Sequence, residues 1–177
     1  MIRLVVCLLG DLQVGHGASG PAVPIPARKV RALLAYLALR PGRRHSRDRL
    51  TALLWPDVAD TQARQSVRQA LVGLRRVFGK ADGLVVDSDT VAVDPLRVDV
   101  DVTRFEHLVA DGSRPRLEQA VALYRGDLLE GFEVKAPAFE DWLLTERERL
   151  RELARKALAK LLAHQTRMGS SEVTLHT

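Results

Sequence analysis

A chain of 177 residues with 46% hydrophobic and 28% charged side chains has the makeup of a soluble globular protein holding one good core or two small ones. No apolar run approaches the ~20 residues that would span a membrane, the opening segment lacks the cleavage pattern of a signal peptide, and a single cysteine, Cys7, excludes an internal disulfide and fits the cytoplasm. The net charge of +5 is unevenly spread: residues 1 to 80 carry 14 Lys or Arg against 4 Asp or Glu, net +10, and residues 81 to 177 carry 13 against 18, net −5.

A cationic module ahead of a mildly acidic one points to a polyanion-binding part joined to a part that contacts protein. In chain order, residues 2 to 9 alternate β-branched and aliphatic types, Gly10-Asp11 gives a turn, and Leu12 to Val14 a short return strand, with another possible around Val23 to Ile25. Gly15 to Gly20 matches G-x-G-x-x-G, but Pro21 and Pro24 follow where a nucleotide site needs a helix to begin, so that reading is set aside. "ARKVRALLAYLAL", from Ala27 to Leu39, has Val30, Leu33, Leu34 and Leu37 at helical spacing, with Pro26 suited to the first turn. "RRHSRDRLTALLW" offers Ser46 as an N-cap and Leu50, Leu53 and Leu54 as the inward side, and Pro56 stops it.

The third helix, "TQARQSVRQALVGLRRVFG", has Asp60 as its expected N-cap and Gly79 just past its end. At about 100° per residue, Ala63, Val67, Ala70, Leu71, Leu74, Val77 and Phe78 fall in one buried stripe about 120° wide. Arg64, Arg68 and Arg75 then share a flank, Gln65, Gln69 and Arg76 lie opposite the core, and no carboxylate occurs between Thr61 and Gly79. Guanidinium forks beside side-chain amides suit phosphates and base edges. "LVVDSDTVAV", residues 84 to 93, is a hairpin around Asp87 to Thr90. Three compact helices closed by a hairpin form a winged helix-turn-helix, whose third helix enters the DNA major groove.

After Pro95, "RVDVDVTRF" reads as acidic and extended, with one or two helical turns over Thr103 to Val109. Ser113 to Tyr124 is a firmer helix with Leu117, Ala120, Val121 and Tyr124 inward, between Gly126 and Gly131 lies a connector, and a long helix runs from Ala138 to about Gln165. It buries Phe139, Trp142, Leu143, Leu150, Leu153, Ala157, Leu158 and Leu161 and pairs Glu152 with Arg155 and Lys156. The predicted organisation is thus a winged helix over 1–95, a helical domain over 96–165 and a disordered tail over 166–177.

The stretch "PARKVRALLAYLALRPGRRHSRDRLTALLWPD" followed by "ARQSVRQALVGLRRVFG" resembles the winged-helix domain of bacterial SARP-type transcriptional activators, a branch of the OmpR/PhoB-type winged helices. "DVDVTRFEHLV", "AVALYRGDLLEGF" and "FEDWLLTERERLRELARKAL" resemble the bacterial transcriptional activator domain that follows it. The resemblance covers roughly residues 2 to 165. It implies an α+β winged helix-turn-helix followed by an all-α, tetratricopeptide-like domain, here partial, with about three of its helices. Carried over by position, it puts Arg64, Gln65, Arg68 and Gln69 toward bases, and Arg75, Arg76, Arg43, Arg44, Ser46 and Arg47 toward phosphates. The "WPDVAD" corner matches the loop that in related winged helices faces RNA polymerase, with Asp57 exposed and Trp55 a core anchor.

The expected partners are therefore double-stranded DNA and RNA polymerase, with no membrane. A winged helix reads only a few base pairs, so two copies on a direct repeat are expected. No enzymatic activity, cofactor or metal is expected: His16, His45, His107, His164 and His176 are scattered singly, and the pairs Asp87/Asp89 and Asp99/Asp101 read as solvated turn residues. The rival reading is a protein-interaction module at the front of a larger signalling protein, with the helical part as its working element.

Overall fold

The computed structural model describes residues 3–17 and 19–174, with side chains as far as residue 170. Strand β1 (Leu4–Cys7) turns back through Gly10, at φ 95°, into β2 (Gln13–His16), placing Val6 opposite Val14. Period-two alternation buries Leu4 and Val6. The strand expected around Val23 to Ile25 is reduced to one bridge, Gly15 to Ala22, and a bond from the Val23 amide to the Val14 carbonyl at 2.7 Å, because two flanking prolines deny the backbone its donors.

Helix α1 (Arg28–Ala38) begins two residues after Pro26, and α2 (Arg47–Leu54) starts where Ser46 Oγ accepts from the Arg49 amide at 3.1 Å. Helix α3 (Asp60–Phe78) is capped by Ala59 rather than Asp60, which is its first residue, and ends at Gly79 with φ 51°. Its buried side chains are the seven that helical spacing predicts. Strands β4 (Leu84–Val86) and β5 (Thr90–Val93) form the wing, joined by the short β3 (His45–Ser46) in the order β3-β5-β4.

Strand β6 (Val98–Val100) lies parallel to β1, so the first sheet has the order β2-β1-β6 and straddles residue 95. The extended segment stops there: α4 (Asp101–Asp111) begins at Asp101, and Gly112 at φ 72° turns the chain into α5 (Arg114–Leu123). The reason lies in Asp101. It is 5% exposed rather than solvated, its two carboxylate oxygens accepting from the amides of Leu8 at 2.8 Å and Leu9 at 3.0 Å. Asp99 instead faces outward and pairs with Arg3 at 3.0 Å.

Helix α6 (Pro137–Thr174) packs against α5 and runs through the stretch predicted as a tail; residues 175–177 lie outside the described residues. No proline interrupts it, Thr166 and Ser170 return their hydroxyls to carbonyls one turn back, and Arg114 reaches the Met168 sulfur at 2.8 Å. Phe139, Leu143, Leu150, Ala157 and Leu161 are buried, Trp142 and Leu153 partly so, and Glu152 pairs with Arg155 and Lys156. Val121 and Leu158, predicted inward, are 38% and 47% exposed, and they line an open hollow between α5 and α6. Buried side chains of both halves form one continuous core.

Candidate nucleic-acid interface

The site is built on the side of α3 that its buried stripe leaves free. Arg64, Gln65, Arg68, Gln69, Arg75 and Arg76 are all exposed there. Among the described residues, none of these four arginines makes an ion pair or a side-chain hydrogen bond, whereas Arg3, Arg40, Arg97, Arg114, Arg149, Arg151 and Arg155 are all matched to carboxylates. The carboxylates nearest to them, Asp60 at the start of the helix and Asp48 and Asp89 across the groove, form no ion pair with them, so this face remains net positive.

A groove of about 380 Å³ runs between α2, α3 and the wing, lined by Ser46, Arg47, Asp48, Thr51, Arg64, Val67, Arg68, Ser88 and Asp89. It brings together Ser46, Arg47, Arg64 and Arg68, which lie apart in sequence. The two glutamines sit further round α3, and Arg75 lies toward its far end; Arg76 borders a different hollow, with Val23, Ile25 and Val30. Arg43 is exposed beside the corner without an ion pair among the described residues.

Two arginines at the start of α2 are already engaged. Arg44 pairs with Asp87 at 2.9 Å, and Arg47 donates to the Asp87 carbonyl at 2.7 Å, so the tip of the wing is tied to the start of α2. Asp87 closes the hairpin by accepting from the amides of Asp89 at 2.9 Å and Thr90 at 2.6 Å. Those amides, the Thr90 hydroxyl and Arg44 together pull its carboxyl down to about 2. As a neighbour of the groove Asp87 is negative through the whole physiological range, which orients Arg44 while removing one positive charge from the corner.

Behind the corner, His45 is buried, and burial first, then Arg43 and Arg49, lower its pKa. The turn between α2 and α3 keeps Trp55 8% exposed with the Lys29 ammonium 5.3 Å from its ring centroid, and leaves Asp57 exposed at the surface. Sequence spacing passes over Val72. It is 51% exposed in the middle of the α3 outer face, within a turn of Arg68, Gln69, Arg75 and Arg76, and the angular spacing that sorts the arginines would have placed it there. The role of Asp87 is carried by hydrogen bonds that span 40 or more residues of chain, and no local pattern announces it.

Among the described residues no cluster of His, Cys, Asp or Glu is arranged to hold a metal ion, and no helix is long and apolar enough to cross a membrane. Residues 100–177 match the bacterial transcriptional activator domain. The whole chain is similar in structure to EmbR of Mycobacterium tuberculosis, solved in complex with a low-affinity phosphopeptide, with a TM-score of 0.76 at 23% identity, over 99% of this chain and 49% of that one. At that identity the likeness is one of fold, and the chain spans about half the length of that relative. No curated protein sequence matches the chain. The family match thus covers residues 100–177, somewhat less than half of the chain, and the likeness to EmbR sets a fold of the same kind, a winged helix followed by a helical domain, over the whole of it.

Proposed function

We propose that the chain regulates transcription in the cytoplasm by binding double-stranded DNA, with α3 in the major groove and the start of α2 and the wing on the backbone. The observation that carries this is the set of four arginines on the free face of α3 that make no ion pair among the described residues, interleaved with two exposed glutamines. Arg64, Gln65, Arg68 and Gln69 occupy the N-terminal half of the helix, where a recognition helix meets base edges, and Arg to guanine and Gln to adenine are favoured pairings. Ser46, Arg47, Arg43, Arg75 and Arg76 supply phosphate contacts, and Arg44 does so together with its wing partner Asp87.

Two copies on a direct repeat would give the selectivity that one winged helix lacks, and Asp57 in the exposed corner would face RNA polymerase to activate transcription. Selection of bound duplexes from random sequence tests the reading. A recovered motif with a repeated half-site supports it, and failure to enrich any duplex rejects it.

The second reading, a protein-interaction module at the front of a larger regulator, is favoured by one feature. A hollow of about 350 Å³ in the helical half is lined mainly by Phe105, Val121, Tyr124, Ala154, Ala157 and Leu158. Salt separates the two: binding through phosphates weakens with a log-log slope of about −0.9 for each phosphate neutralised, and an apolar protein interface responds far less.

A further inference from the structure

The activator domain touches the DNA-facing corner through a short stack of aromatic side chains. Trp142, early in α6, meets Tyr36 edge-on, with ring centroids 4.9 Å apart and planes at 63°. Tyr36 is buried near the end of α1, and on another side it packs against His45 with centroids 4.9 Å apart. Its hydroxyl accepts a hydrogen bond from Arg49 Nε at 3.2 Å.

His45 and Arg49 are the residues that bracket the α2 cap. His45 immediately precedes Ser46, and the Arg49 amide donates to the Ser46 hydroxyl. Tyr36 therefore grips both sides of the turn from which Ser46 and Arg47 project, and Trp142 supports Tyr36 from behind. The end of α1 is held on the same domain a second time, where Arg40 pairs with Glu106 at 3.3 Å and with Glu146 at 3.9 Å. Arg149 pairs with the same two carboxylates, at 2.6 Å and 2.7 Å.

We propose that Trp142 and Tyr36 are positioning residues for DNA backbone binding: the activator domain, through α6, sets the angle at which the start of α2 meets the phosphates, although Trp142 lies outside the groove. Aromatic pairs in edge-to-face contact are directional, so the stack transmits orientation and does more than fill space. The proposal rests on the DNA-binding reading of α3 and the wing.

The test uses the full chain and a duplex recovered by selection, with affinity measured across a salt series. Trp142→Ala is expected to flatten the log-log slope by about 0.9 for each phosphate that is no longer neutralised, while the ranking of single-base variants stays as in the wild type. Trp142→Phe, which keeps an aromatic edge against Tyr36, should restore the slope. A smaller folded population lowers the active fraction but leaves the slope unchanged, so the slope separates positioning from mere stability. Tyr36→Phe keeps both ring contacts and releases only Arg49, and it decides the matter if Trp142→Ala does not fold: a flattened slope supports the proposal. An unchanged slope in Trp142→Ala, or in Tyr36→Phe when that variant decides, overturns it and leaves DNA binding standing. If the wild type enriches no duplex, the DNA-binding reading and this inference fall together.

Discussion

Asp101 holds the first strand to the second half of the chain through a single carboxylate that accepts from two buried backbone amides. Asp101→Asn keeps its shape but turns one acceptor into a donor, leaving the amide of Leu8 or Leu9 without a partner. The expected loss is about 1–3 kcal/mol, read as a lower urea midpoint at unchanged m-value. Burial pushes the pKa of this carboxyl up, against the pull of the Leu8, Leu9 and Val102 amides and of Arg125. Because the fold takes this proton more readily than the unfolded chain does, the contribution of the titration favours the fold at low pH and fades as pH rises through the folded value. His45 runs the other way. Its pKa is lowered chiefly by burial, so the unfolded chain takes the proton first, and stability falls as pH drops below the usual 6.5. Melting at about pH 5.5, below that value, should come earlier than at about pH 7.5, and His45→Phe should shrink that difference; an undiminished difference would assign the pH dependence to other groups.

The elements differ in how plainly the sequence announces them. The buried stripe of α3 is legible because a 3.6-residue period over a long helix leaves one arrangement of its seven apolar side chains. The end of α6 is not legible: past Leu161 its side chains are mostly exposed and no stripe remains, and the helix continues through its backbone ladder with no proline to stop it. The same contrast holds for the candidate interface. The α3 residues follow from spacing and charge, whereas the tie from Arg44 and Arg47 to Asp87 depends on folding the wing back onto α2. That tie sharpens the mutational expectation for two elements. Arg68→Ala should relax base preference at one position and cost about 1–3 kcal/mol, and Arg47→Ala should weaken all duplexes nearly equally. Competition with single-base variants checks both, and a uniform loss for Arg68→Ala would remove it from base reading.

At the scale of the whole molecule, the corner between α2 and α3 is fixed by buried Trp55 yet presents Asp57 to solvent, so a change at Asp57 leaves the core untouched. Asp57→Ala is expected to bind DNA as the wild type does while transcription from a reporter falls. If affinity and transcription fall together, or neither changes, the corner is structural. The winged helix and the activator domain are legible as separate compositions, +10 against −5 in charge, but their union is not, since it depends on pairing residues more than 90 apart.

The parallel alignment of β6 with β1 orders events during synthesis. Residues 4 to 7 are made well before residues 98 to 101, which supply both the third strand and the Asp101 carboxylate, so until then one edge of β1 has no partner from this sheet. An open edge is a template for pairing with other chains. The first sheet is therefore complete only when the opening residues of the second half have been made, and the fold of the first half depends on its neighbour for one of its three strands.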